Sequence, residues 1–223
     1  MSNYSNVFVI TYGRSGSTLL VGVLNSISGY MIRGENNNFV WQLYKAYRAL
    51  EQTKKDFGNS KADSPTSPWY GANGIDLDAY ISDARKMIFG QLEGKTGIFS
   101  RGSKVVGFKE IRYTEPHQLN NLEGYLDFLR AVCDKPAFVF NTRDLDQVCK
   151  SSWWKNVDEV KVKEKLGRAD AKFREVASRH SDCIHVDYEK IVSREDVERL
   201  FNFLGEEYVE TRLNTVFKKS HSY

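Results

Sequence analysis

The stretch Asn6 to Leu20, NVFVITYGRSGSTLL, constrains the fold of this chain more than any other. An apolar, β-branched run (Val7, Phe8, Val9, Ile10, Thr11) meets a turn of small residues, Gly13-Arg14-Ser15-Gly16-Ser17-Thr18. An apolar segment with helical spacing then begins at Leu19. Strand, glycine turn and helix, in that order, is how a parallel α/β protein builds a phosphate cradle. Glycine lets the backbone approach the anion, and the helix N-terminus offers unpaired N–H groups and a partial positive charge.

The rest of the chain continues the alternation. Tyr30-Met31-Ile32, Val105 to Lys109, Ala137 to Phe140 and Cys183 to Val186 read as short buried strands. Between them, helical spacing is predicted from about Val40 to Leu50, over 76–92 and over Tyr125 to Val132. A further helix is predicted from an Asp144 cap to about Trp154. Residues 157–179 are highly charged with sparse apolar positions, which predicts an exposed helix. Ser193-Arg194-Glu195-Asp196 resembles a capping box ahead of a last helix ending at Gly205. The expectation is a single α/β domain over residues 1–223, a P-loop-like parallel sheet with helices on both faces. The Gly-, Ser- and Pro-rich stretch at about 57–75 reads as a long loop.

Bulk properties exclude several classes. The 223 residues suit one substantial core, and 41% hydrophobic with 27% charged residues is ordinary for a globular protein. A net charge of +3 is too small to argue for a nucleic-acid or membrane-surface partner. No stretch approaches the length of a transmembrane helix, and the N-terminus lacks the basic leader of a signal peptide. Cys133, Cys149 and Cys183 are far apart and odd in number, so free thiols in a reducing compartment, the cytoplasm, are expected. The four histidines lack zinc-ligand spacing, so no metal site is expected.

The glycine turn is not that of an ordinary triphosphatase. A P-loop needs GxxxxGK[ST]. Here the glycines are Gly13 and Gly16, no lysine precedes Ser17-Thr18, and Arg14 supplies the positive charge. The strand ending at Phe140 runs into Asn141-Thr142-Arg143, a cationic end rather than a magnesium-binding aspartate.

Gly13 to Leu20 resembles the 5′-phosphosulfate loop of sulfotransferases that use 3′-phosphoadenosine 5′-phosphosulfate (PAPS). Arg143, closing a strand, and Ser151, eight residues later on the following helix, match the pair that binds the cofactor 3′-phosphate in that family. Arg33-Gly34-Glu35 matches the position where carbohydrate and protein-tyrosine sulfotransferases carry a glutamate base. Gly107-Phe108-Lys109-Glu110 matches their active-site lysine, and Phe203-Leu204-Gly205 also looks like the family. The resemblance implies sulfuryl transfer from PAPS, leaving PAP, to an acceptor hydroxyl, most simply of a carbohydrate or glycolipid, without a metal. It implies Glu35, Lys109 and Arg14 as catalytic residues, and Arg14, Ser15, Gly16, Ser17, Thr18, Arg143 and Ser151 as cofactor-binding residues.

Other readings stand beside these. The chain as a whole is alternatively a P-loop-type phosphotransferase or a non-catalytic nucleotide-binding module. Glu35 is a base or a cap of the next helix, and Lys109 is catalytic or paired with Glu110 or Glu35. Arg143 and Ser151 taken singly are also compatible with a surface salt bridge and an exposed helix serine. Trp69 and Tyr70 stack on a sugar or tether their own loop. Trp153 and Trp154 pack in the core or roof an adenine. His221 is a candidate second base or part of a loose tail, and Lys161 to Lys165 reads as a solvated helix face.

Overall fold

The structure, a computed structural model, describes residues 2–93 and 104–218. The chain runs β1 (Asn6–Ile10), α1 (Ser17–Asn25), β2 (Tyr30–Arg33), α2 (Phe39–Phe57), α3 (Leu77–Glu93), β3 (Val105–Glu110), α4 (Pro116–Asn120) and α5 (Leu122–Val132). It continues through β4 (Pro136–Thr142), α6 (Leu145–Cys149), α7 (Glu159–Arg179), β5 (Cys183–Asp187), α8 (Tyr188–Val192), α9 (Glu195–Leu204) and α10 (Glu210–Phe217). These five strands form one parallel sheet in the order β2-β3-β1-β4-β5.

Helices cover both faces, as the alternation predicts. Phe8, Ile10, Phe108, Phe138 and Phe140 pack with α2, α3, α5 and α7. Val7, Val9, Ile32, Val139 and Val186 pack on the opposite face with α1, α8, α9 and α10. A strand covered on both faces needs no polar alternation, which is why β1 reads as an unbroken apolar run. With β3 on one side and β4 on the other, β1 brings the glycine turn to the middle of the sheet's C-terminal edge. That edge is where open parallel sheets hold ligands.

Three local expectations are corrected. Helix α7 is not an exposed helix, because Val162, Leu166, Ala169, Phe173 and Val176 form an apolar stripe that is buried in the core. The spacing of four, three, four and three residues keeps these five on one side, while the charges between them face outward. Within the lysine run, Val162 is buried, Lys163 bridges Asp146 and Glu159, and Lys165 reaches Glu115.

The helix after Asp144 is capped as expected, by the Asp144 carboxylate accepting from Gln147 N–H at 3.0 Å, but it ends at Cys149. A 3-10 turn over Ser152–Asn156 follows, entered through Ser152 at φ 50°. Ser151 therefore caps a tight turn and does not ride on the helix. Two adjacent serines hold helix weakly. Tertiary contact wins, because the Trp154 indole N–H donates to the Gly13 carbonyl at 3.0 Å and pulls the segment across the glycine turn.

The capping box at Ser193 does not form. Arg194 holds the cap position of α9 at φ 69°, and the Ser193 hydroxyl donates to Lys190. The Asp196 carboxylate accepts instead from Asp187 N–H at 3.2 Å and pairs with Arg199, tying α9 to the end of β5. The long loop carries short 3-10 turns at Ser60–Asp63 and Ala72–Gly74. Trp69 stacks on Phe57 at 3.7 Å between ring centres, so it tethers its own loop.

The burial of α7 has a measurable consequence. Phe173 is fully buried and stacks on Phe140 at 5.3 Å. Phe173→Ala is expected to cost about 3–5 kcal/mol in urea unfolding, whereas Lys161→Ala on the outer face stays within about 0.5 kcal/mol. A negligible loss for Phe173→Ala would restore the exposed-helix reading.

Candidate active site

The glycine turn is held by polar contacts beneath it. Thr11 Oγ1 donates to the Asn141 carbonyl at 2.6 Å and lies 2.7 Å from Ser15 Oγ. Asn141 Nδ2 donates to the Ser15 carbonyl at 2.9 Å. Tyr12, fully buried, accepts from Arg143 N–H at 3.1 Å and donates to the Arg143 carbonyl at 3.2 Å. Burial, with Asp170 beside it, raises the Tyr12 hydroxyl well above the usual phenol range. Burial also pushes the Asp170 carboxyl up to about 6.

Arg14 and Gly16 both lie in the left-handed region, at φ 71° and 75°. At Gly16 only glycine fits, since a Cβ would also run into the Tyr188 ring. A Cβ at Gly13 would strike Trp153. The turn leads into α1, whose cap Gly16 has no side chain to satisfy the first N–H groups, leaving them available to an anion.

Above the turn lies a cavity of about 370 Å³ lined by Gly13, Arg14, Gly16, Ser17, Thr18, Glu35, Lys109, Arg143, Trp153 and Tyr188, among others. Three cations, Arg14, Lys109 and Arg143, face one carboxylate, Glu35, along this lining. Arg143 Nη1 donates to the Arg14 carbonyl at 3.2 Å, and its guanidinium lies 4.5 Å from the Tyr188 ring centre. Its nearest carboxylate is Glu189 at 3.9 Å, and its buried Nε has no hydrogen-bond partner. Arg143 is thus not an ordinary surface ion pair. A guanidinium fork with an unmet donor beside uncapped N–H groups suits a phosphate.

Glu35 and Lys109 meet at 2.6 Å between Oε1 and Nζ. Of the two pairings open to Lys109, the partner is therefore Glu35, not Glu110. Nor does Glu35 cap α2, because the Asn36 side chain accepts from Phe39 N–H at 3.0 Å. Glu110 is fully buried and accepts from Asn38 N–H at 2.6 Å, Asn36 N–H at 3.3 Å, Ile111 N–H at 2.8 Å and Arg112 at 2.9 Å. It pins the loop in which Asn37 and Asn38 adopt left-handed backbone, the loop that begins with Glu35.

Most of the residues singled out in the sequence therefore converge. Arg14, Gly16, Ser17, Thr18, Glu35, Lys109 and Arg143 line one cavity. Ser151 stands behind Arg14, whose Nε donates to its Oγ at 2.9 Å. Ser15 does not face the cavity with its side chain, which is buried against Thr11. Trp153 is half-exposed at the cavity wall, 5.9 Å from the Arg14 guanidinium, and Trp154 packs against the core. His221 lies outside the described residues. Sequence reasoning gave no role to Tyr12 or Tyr188 and named Glu110 only as a candidate partner of Lys109. Glu110 alone carried a signal, a second charge directly after Lys109 at the end of a strand that is otherwise apolar.

Cys133, Cys149 and Cys183 are buried and unpaired. Among the described residues no group of three His, Cys, Asp or Glu side chains could hold a metal, and no helix is long and apolar enough to cross a membrane.

A family model described as "Sulfotransferase family" matches residues 6–210. No curated protein matches the chain. Among solved structures, the chain is similar to the sulfotransferase domain from the Synechococcus PCC 7002 olefin synthase, with a TM-score of 0.58, 15% identity, and coverage of 99% of this chain and 80% of that one. Sulfotransferase STF9 from Mycobacterium avium aligns with a TM-score of 0.45 and 11% identity over 95% of this chain and 67% of that one. The first likeness is one of fold, and the family match spans nearly the whole chain, cradle and strand ends included. This chain belongs to the sulfotransferase family.

Proposed function

We propose that this protein transfers a sulfuryl group from PAPS to an acceptor hydroxyl. The observation that carries the reading is the convergence of Arg143 on the glycine turn. Arg143, at the end of β4, is tied to the turn after the neighbouring strand β1, its Nη1 donating to the Arg14 carbonyl at 3.2 Å. That spacing suits one nucleotide bearing phosphates at both ends. The donor set of cations, hydroxyls and backbone N–H groups fits such a ligand, and the unpartnered Arg143 Nε fits its 3′-phosphate.

The turn from Arg14 to Thr18 and the first N–H groups of α1 would hold the 5′-phosphosulfate end. Arg143 would hold the 3′-phosphate, with Ser151 orienting Arg14. Trp153 offers an aromatic face to the base. When bound, PAPS supplies the sulfuryl group and a phosphate that departs with the electron pair of the broken bond. Glu35 takes the proton of the acceptor hydroxyl as that oxygen bonds to sulfur. Lys109 moves between two partners, Glu35 in the resting site and the oxygen that gains charge during transfer. Arg14 and the backbone N–H groups of the turn meet the same charge without rearrangement. The acceptor expected from the resemblance is a carbohydrate or glycolipid. The single-domain reading over 1–223 and a cytoplasmic location complete the proposal, and three buried, unpaired thiols are compatible with reducing surroundings.

Two substitutions separate chemistry from cofactor binding. Glu35→Gln is expected to lower kcat for sulfate transfer by about 10²–10⁴-fold, with PAP affinity by calorimetry unchanged. Full turnover in Glu35→Gln would remove Glu35 from the role of base. Arg143→Ala is expected to weaken PAP by about 10–100-fold, the loss of a charge-assisted contact worth about 1.5–3 kcal/mol. PAP binding that is indifferent to Arg143→Ala would sink the two-ended nucleotide site.

A further inference from the structure

Glu35 borders a second cavity, on the side of the sheet away from α1. We propose that this cavity receives the apolar body of the acceptor, so that the acceptor is an alcohol on a hydrocarbon chain rather than a free sugar. The proposal rests on the sulfuryl-transfer reading above. The cavity has a volume of about 470 Å³, within the range of about 300–1,000 Å³ common for small-ligand sites.

Its apolar walls are Phe39 and Val40 from α2, Ile88 from α3 and Phe108 from β3, and Arg33 and Asn36 line it as well. Gly34 and Glu35 stand at its edge, and Glu35 also lines the cavity above the glycine turn. One carboxylate thus stands where an apolar chamber and the cationic chamber meet. A hydrocarbon in the first would bring a terminal hydroxyl to the proton acceptor at the rim of the second.

A free sugar fits these walls poorly. Each hydroxyl buried without a partner costs free energy, and sugar sites therefore converge donors and acceptors on their ligand. Here several of the acceptors at the rim are committed elsewhere. Asn36 Oδ1 accepts from Phe39 N–H, Glu35 Oε1 pairs with Lys109, and nearby Glu110 is taken up by Asn36 N–H, Asn38 N–H, Ile111 N–H and Arg112. Of the two loop aromatics that could have served as a sugar platform, Trp69 is stacked on Phe57, and neither it nor the exposed Tyr70 borders the cavity.

The test is direct binding, measured by calorimetry with and without saturating PAP. The probes are 1-butanol, 1-hexanol and 1-octanol, with methyl α-glucopyranoside as the sugar. The expected result is a dissociation constant that falls about fourfold for each added methylene, as full burial of a CH₂ requires. The glucoside is expected to give no measurable heat. Ile88→Trp, which fills the chamber, is expected to weaken 1-octanol by at least about tenfold while leaving PAP affinity unchanged. Gly34→Leu serves if Ile88→Trp fails to fold, because a Cβ at Gly34 meets nothing within 4 Å and its φ lies outside the left-handed region. A flat alcohol series, glucoside binding as tight as 1-octanol, or 1-octanol binding indifferent to the folded variants would overturn the inference. Failure of PAP to bind would overturn the transfer reading itself, whereas a flat series in PAP-saturated protein overturns only this assignment of the acceptor.

Discussion

The end of β4 is stitched to the turn after β1, and the site depends on that seam. Thr11 and Tyr12 bond to the backbone of Asn141 and Arg143, Asn141 bonds back to Ser15, and Arg143 reaches Arg14. Buried hydrogen bonds of this kind contribute about 0.5–1.5 kcal/mol each, and losing one partner costs more because the other is left unmet. Together they hold Arg14 in left-handed backbone, a conformation that costs a non-glycine residue on the order of 1–3 kcal/mol and persists only where its surroundings over-determine it. The return on that strain is a turn whose N–H groups are aimed before any anion arrives.

The seam also explains how the Arg143 side chain comes to line the cavity. Its backbone is fixed by Tyr12, and its side chain lies over the Tyr188 ring, the ring that leaves no room for a Cβ at Gly16. Tyr188 therefore shapes the cavity twice, holding the guanidinium on one side and demanding glycine on the other. The Arg143 Nε is buried without a hydrogen bond, its ion-pair partner Glu189 standing off at 3.9 Å, so the donor has room for a closer acceptor such as a phosphate oxygen.

The fold was legible because its strands are buried on both faces and its helices begin at punctuated turns. β1, β4 and β5 read as short apolar runs, and the parallel sheet follows from their alternation with helices. What could not be read was decided by contacts distant in sequence. No local signal reveals that Trp154 hydrogen-bonds to Gly13 and so breaks the helix after Cys149. The charged surface of α7 hid a regular stripe of five buried residues, since the charges outnumber them. At the site, Arg14, Glu35, Lys109 and Arg143 were visible as charges at strand ends, whereas Ser15 turned inward because Thr11 and Asn141 lie beneath the turn. Tyr188 and Asp170 carry no pattern in the sequence that distinguishes them from other aromatic and acidic residues.

The two consecutive charges at the end of β3 show how register sets the chemistry. Lys109 lies opposite Val9 and Glu110 opposite Ile10, so the two side chains leave the sheet on opposite faces. Lys109 leaves with Val9, on the α1 side, and meets Glu35 there. Glu110 leaves with Ile10, on the α2 side, and pins the loop from Asn36 to Asn38. Glu35 stands just beyond the edge strand β2 and is therefore set by both, one residue supplying its partner and the next fixing its backbone. A one-residue slip of β3 would exchange these faces, leaving a lysine beneath the loop and a carboxylate against Glu35. The pairing of β3 with β1 is thus what allows one glutamate to border both chambers, cationic on one side of the sheet and apolar on the other.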